Sequence, residues 1–286
     1  VEEEGSNTES RTLESKIYVH ETMCLLREPI IRAAIRKLDL PVGSRGLDAG
    51  CAIGLITQLL ASAVSPGGHV TGLDLSSQYL DYARARINEL NLPQGIAFRE
   101  GDVNQLPFDD GSFDWAWSMD TLWPGPKEIG CPSEDPFSMA RELARVVKPG
   151  GTLAILFWTS QKLLPGYPLL EARLSTTSQA TAPFRPGMTP DQHVLRGLAW
   201  LREVDLVDLE AHTFVANVVA PLDGRIRDAL IFTFPMFWGG VEQEVSEEDW
   251  AEYNRLCQPE SPDFILDDPD YYAFHTYTMF QGRVAR

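Results

Sequence analysis

Positive charge, paired cysteine and long apolar runs are all scarce in this sequence, and each scarcity removes a class of function. Lysine and arginine total 24 against 41 aspartates and glutamates, a formal net charge of −17 over 286 residues. A chain this acidic repels phosphate backbones, and no run of Lys and Arg offers a stripe that could release counterions from nucleic acid. The cysteines Cys24, Cys51, Cys131 and Cys257 form no CxxC pair, so neither a zinc site nor a disulfide framework is suggested. No cluster of His and carboxylate at ligand spacing points to another metal. Apolar runs such as Leu153–Trp158 fall far short of the ~20 residues that cross a bilayer. Residues 1–12 are polar and acidic, carry no secretory signal and read as disordered. A cytoplasmic enzyme or binding protein is the expectation.

What is present has globular composition, 44% hydrophobic and 23% charged, in a chain long enough to bury a full core. From Leu13 to Leu38 apolar residues recur at helical spacing, and Pro29 is expected to open a second helix. Short apolar runs then alternate with helical stretches. Arg45–Ala49, Val70–Leu73, Ile96–Arg99, Phe113–Ser118 and Leu153–Trp158 read as strands. Leu55–Val64, Gln78–Leu90 and Met139–Val147 read as helices. This alternation predicts an α/β fold with a doubly wound, mostly parallel sheet covered on both faces. A Pro/Ser/Thr-rich stretch, Ser175 to Pro190, precedes a short helix near Pro190 with Thr189 as its cap. Leu206–Val219 and Tyr272–Val284 read as an antiparallel hairpin at the sheet edge. Roughly fifty residues, Pro221 to Asp270, are inserted between them, with an aromatic cluster (Phe232, Phe234, Phe237, Trp238) and then an acidic tract.

The segment GLDAGCAIG, from Gly46 to Gly54, carries the most information. A strand ends at Asp48, Gly50 makes a tight turn, and Gly54 opens a helix. Free amides at that helix start suit a carboxylate or phosphate. A dinucleotide turn wants G-x-G-x-x-G, whereas here the second and third glycine positions hold Ala52 and Leu55. An acid before the turn repels a pyrophosphate and suits a ligand's ammonium group. Asp74 ends the next strand, where a carboxylate can accept from two ribose hydroxyls. Asp102 ends the third, where it can meet an adenine amino group.

With these motifs the chain resembles class I, seven-stranded Rossmann-like S-adenosylmethionine-dependent methyltransferases, of the branch acting on small molecules. LDAGCAIG resembles the first motif, VTGLDLS the ribose motif, EGDVNQLPFDDGSFDWAWSMDTLW the adenine loop and fourth strand, and LARVVKPGGTLAI the helix and strand that follow. The resemblance is collinear over residues 44–160. It implies one methyltransferase domain over 13–286, with a cofactor core at 44–160 and a substrate lid from N-terminal helices 13–40 and the 221–270 insertion. It implies S-adenosylmethionine as cofactor and S-adenosylhomocysteine as product. Asp48, Gly50, Cys51 and Gly54 would border the methionine part. Asp74 would hold the ribose, Leu75 would pack near the adenine, and Asp102 and Val103 would face its edge. Ser118 and Met119 would line the sulfonium end, and Tyr18 or His20 would close over the cofactor.

His20 and Asp120 are the candidate bases; Trp123, Phe234, Phe237 and Trp238 are the candidate substrate pocket. A thiol-seeking substrate would need Cys24, Cys131 and Cys257 to converge. After the fourth strand the chain reads SMDTLW, without the N/D-P-P-Y/F of base-amino methylation or a Pro-Cys nucleophile. With the acidic charge, both features favour a small-molecule acceptor over nucleic acid. Two alternatives remain at this level: a cofactor-binding protein without catalysis, and a nicotinamide-dependent oxidoreductase on a related fold.

Overall fold

The computed structural model describes residues 12–89, 95–127 and 130–285. The expected disorder at the N-terminus, apart from residue 12, and the end of the helix expected at Leu90 lie outside these residues.

The predicted alternation is present. After helix α1 (Leu13–Leu38), strands β1 (Arg45–Ala49), β2 (His69–Asp74), β3 (Ile96–Glu100), β4 (Phe113–Met119) and β5 (Val147–Lys162) are separated by α2 (Leu55–Ala63), α3 (Ser77–Glu89) and α4 (Pro136–Val146). Short helices α5 (Pro168–Leu174), α6 (Ser178–Thr181) and α7 (Gly197–Glu203) lead to β6 (Leu206–Val219). Helices α8 (Gly224–Trp238) and α9 (Glu247–Cys257) then precede β7 (Tyr272–Val284). The seven strands lie in the order β3-β2-β1-β4-β5-β7-β6. β1 to β5 pair in parallel, and β7 runs antiparallel to both β5 and β6. The two late strands therefore pair as expected, and the residues inserted between them form helices.

Successive side chains on the central strands serve opposite faces, as strand geometry requires. Ala154, Leu156 and Trp158 of β5 join Trp115 and Trp117 of β4 in the core beneath α1, α2 and α8. Leu153, Ile155 and Phe157 face the other way, onto Met139 and Leu143 of α4 and Trp200 of α7. Burial on both faces is why these strands read as short continuous apolar runs.

One local expectation is corrected. Leu13–Leu38 is a single helix with Pro29 inside it, not two helices. Proline withdraws one backbone donor there. Met23, Leu26, Ile30, Ile31, Ala34 and Ile35 are buried on both sides of it, so a continuous apolar stripe carries the helix through the break.

Candidate functional site

The parallel strands β1 to β4 all end on one side of the sheet, the usual place for ligands in open α/β sheets. A cleft there has two lobes, of about 560 and 720 Å³, which share Arg27, Asp120, Thr121, Gly130, Cys131 and Pro132.

The first lobe is floored by the turn at residues 50–53, flanked by Asp74, Leu75, Asp102 and Val103, and roofed by His20, Cys24 and Arg27 of α1. Gly50 and Gly54 have φ of 81° and 76°, which L side chains rarely adopt. The free amides expected at the helix start are those of Leu55, Ile56 and Thr57, which have no acceptor among the described residues, whereas the turn before them is bonded. Gly50 and Cys51 N–H both donate to the Leu73 carbonyl at 2.7 and 2.9 Å, and Gly54 N–H donates to Cys51. Ala52 N–H donates to Asp74 Oδ2 at 2.9 Å. The turn is thus tied to β2 by backbone and carboxylate together.

Asp74 Oδ1 also accepts from Ser76 N–H at 2.9 Å, leaving lone pairs on each oxygen for the cleft. Asp102 accepts twice on Oδ1, from the backbone and side-chain nitrogens of Asn104, each at 2.8 Å. Its Oδ2 has no partner among the described residues. Leu75 is 63% exposed, an apolar surface at the lobe edge. Asp48 is buried behind the turn, where its carboxylate accepts from Thr57 at 2.6 Å. Burial pushes its pKa up to about 7, against the lowering effect of the Thr57 bond.

At the seam of the lobes, Asp120 sits at the tip of β4 with φ 51°. Its Oδ2 accepts from Arg27 Nη1 at 3.0 Å and from the Tyr277 hydroxyl at 2.5 Å, and its Oδ1 accepts from Trp158 N–H at 3.1 Å. Burial opposes the Arg27 charge, but Tyr277 and Asp120 outweigh it and its pKa is raised. With three donors from three elements, this carboxylate is a clasp more than a free base. His20 lies edge-on to Tyr79 at 5.0 Å. Burial and then the Arg27 charge hold its pKa below the usual histidine value.

Several expected site residues lie elsewhere. Tyr18 is turned off the cleft, with its hydroxyl on Asp228 and its ring edge-on to Phe232. Ser118 is buried and donates to the Ala49 carbonyl at 2.8 Å, tying β4 to β1. Gly54 serves packing, since a Cβ there would come within 2.6 Å of the Phe98 ring. Phe234 and Trp238 are wholly buried and stack on each other in the core; an aromatic cluster in an insertion is as easily core as pocket. Phe237, Trp123 and Met119 do line the cleft. Cys24, Cys51 and Cys131 line the first lobe, whereas Cys257 is buried on α9, so the three thiols considered for a soft substrate do not converge. Among the described residues no group of three or more His, Cys, Asp and Glu is placed to hold a metal ion.

The sequence reading missed Arg27, Thr121 and Tyr277, and the wall of the second lobe formed by residues 179–185 and 193–195. Arg27 did leave a signal, a lone cation inside the apolar stripe of α1.

Residues 47–155 match the methyltransferase domain family. The chain is 34% identical over 136 residues to demethylmenaquinone methyltransferase of Bacillus cytotoxicus, covering 48% of this chain and 53% of that protein. It is 33% identical over 192 residues to an uncharacterised transposon protein of Streptomyces fradiae, covering 67% of this chain and 49% of that protein. The chain thus spans about half the length of these curated relatives. Among solved structures it resembles a Haemonchus contortus phosphoethanolamine N-methyltransferase in complex with S-adenosylhomocysteine. The TM-score is 0.50 at 18% identity, covering 89% of this chain and 52% of that one. The fold and the collinear motifs are Rossmann-like, and residues 47–155 carry a methyltransferase domain of the class I, S-adenosylmethionine-dependent kind. The nicotinamide alternative falls with that assignment. No helix of the described residues is long and apolar enough to cross a membrane.

Proposed function

We propose that this chain binds S-adenosylmethionine in the first lobe and transfers its methyl group to a small molecule in the second. The carrying observation is the shared seam: two lobes of ligand size meet at Arg27, Asp120 and Thr121. The cofactor, when bound, supplies a methyl group activated on a sulfonium. Asp74 accepts from the ribose hydroxyls, and the free Oδ2 of Asp102 suits the adenine side. Gly50 and Cys51 border the methionine part through main-chain contact, while Asp48 acts through the turn it anchors. Arg27 reaches both lobes and offers a donor edge beyond its bonds to Met23, Asp120 and Tyr277.

Positioning does most of the work, because alignment of acceptor, carbon and sulfur alone removes several kcal/mol of barrier. The lid in this reading is α1, the 178–196 segment and the end of α8. Of the 221–270 insertion, Met236 and Phe237 line the cleft. His20 lines only the first lobe and Asp120 is held by three donors, so neither is assigned as the base for an acceptor in the second. The demethylmenaquinone methyltransferase relative supports a small-molecule acceptor. Four free cysteines support a reducing, cytoplasmic setting.

Calorimetric titration with S-adenosylmethionine and S-adenosylhomocysteine tests the first half of this reading, and micromolar binding of both is expected. A gain of one methyl mass in a screened acceptor pool tests the second. Absence of binding to a ligand-free preparation overturns the proposal. Binding with no transfer to any pool would favour a cofactor-binding protein without catalysis.

A further inference from the structure

The balance of charge differs between the two lobes of the cleft. The first lobe carries Asp74 and Asp102 beside Lys127 and the shared pair Arg27 and Asp120, one acid in excess. The second carries Arg27, Arg185 and Asp120 as its ionised side chains. Asp120 is already paired with Arg27, and burial keeps His193 below the usual histidine pKa, hence neutral near pH 7. No described ion pair involves Arg185. Its positive charge reaches the Cys131 thiol on the seam, acting against the burial that raises that group's pKa. A chain of net charge −17 therefore presents an acceptor lobe with a surplus cation and no uncommitted carboxylate.

The walls of that lobe are aromatic on two sides. Trp158 lies 5.3 Å from Phe237 and 5.5 Å from Tyr277. Facing elements contribute Trp123 and the edge-on pair Phe184 and His193 at 5.3 Å. Flat rings on separate elements suit a flat guest, and about 720 Å³ holds a bicyclic one.

Resting on the transferase reading above, we infer that the second lobe takes an aromatic acceptor bearing a negatively charged group, which Arg185 receives at the rim. A guanidinium matches a carboxylate through two parallel N–H donors. An amine acceptor would find only Asp120, whose oxygens are taken.

The test uses the full chain loaded with S-adenosylhomocysteine and three probes of one shape: a hydroxynaphthoate, the corresponding hydroxynaphthamide and an aminomethyl-naphthol. Calorimetry should rank the carboxylate about tenfold or more above the amide, with the amine weakest. Arg185→Gln should abolish the difference between acid and amide while leaving affinity for amide and S-adenosylhomocysteine unchanged. Arg185→Lys should restore part of it. Arg185 is exposed and lies outside the first lobe, so its replacement leaves the fold intact. Equal binding of acid and amide, or no effect of Arg185→Gln, overturns the anionic group. Failure of every probe while S-adenosylhomocysteine binds overturns the aromatic class. Failure of S-adenosylhomocysteine itself overturns the transferase reading first, and this inference with it.

Discussion

At the tip of β2 the Asp74 carboxylate serves the fold and faces the cleft at once. It accepts from Ala52 and Ser76 N–H, and in the proposed reading its spare lone pairs take the ribose. Asp74→Ala should weaken S-adenosylhomocysteine binding by about 1–3 kcal/mol, roughly 5–150-fold. Calorimetry checks this, and unchanged affinity would remove Asp74 from the site. The Tyr277 hydroxyl has a narrower task, donating one bond to an ionised Asp120. Tyr277→Phe should cost about 1.5–3 kcal/mol of stability in urea unfolding, as loss of a bond to a charged group does. It should weaken cofactor binding less than Asp74→Ala does, because Tyr277 lines only the acceptor lobe and reaches the first lobe through Asp120 and Arg27. The contrast between the two residues also explains what could be read in advance. Asp74 and Asp102 announce themselves by following an apolar strand and preceding a turn. Tyr277 reaches Arg27 across 250 residues of chain, a closure that local pattern does not encode. The amides of the glycine turn, unlike those at the start of α2, are hidden from the sequence for a related reason. Turn chemistry predicts that donors exist, and only the neighbouring strand decides that Leu73 and Asp74 consume them.

At the scale of elements, β1 and β4 lie side by side with Gly46 opposite Trp115. A Cβ on Gly46 would fall 2.0 Å from the indole ring. That ring is buried and held by a bond from its Nε1 to Ser44 at 2.9 Å. Gly46→Ala should therefore destabilise by about 3 kcal/mol, the upper end for overpacking. Trp115→Leu in the same chain should recover part of that loss. A Gly46→Ala protein with the wild-type urea midpoint would show that the ring is free to move. Strands with this much two-sided burial are legible as short continuous apolar runs bounded by turn residues, and β6 and β7 match their expected bounds. Helix α1 was misjudged at Pro29 because propensity is local, whereas the stripe that holds the helix is buried by α2 and α8. The 178–196 segment was opaque for the opposite reason. Its short turns have no period to detect, and its place on the acceptor lobe follows from packing alone.

For the whole molecule, two buried groups bias stability in opposite directions over the same pH range. Asp48 holds its proton to about pH 7 when folded, because burial disfavours the carboxylate, whereas its ordinary value is 3.8. Between those values the folded chain binds more protons, so this contribution makes stability fall as pH rises. His275 is buried against Trp158 at a ring distance of 4.7 Å. Burial, then the Arg27 charge, lowers its pKa from 6.5 to about 4. Here the unfolded chain binds the extra proton, so the contribution makes stability rise with pH. The two oppose each other over roughly pH 4–6.5, each at up to about 1.4 kcal/mol per pH unit. Single replacements should uncover them: Asp48→Asn should give stability that climbs with pH across that interval, and His275→Phe stability that declines. Urea unfolding at several pH values measures both. The self-repulsion of a chain with net charge −17 is nearly common to the wild type and the two variants, so it largely cancels when their profiles are subtracted. Profiles parallel to the wild type for both variants would mean that neither group is held in its buried protonation state, and that the environments of the turn and of the Trp158 stack are wetter than their packing indicates.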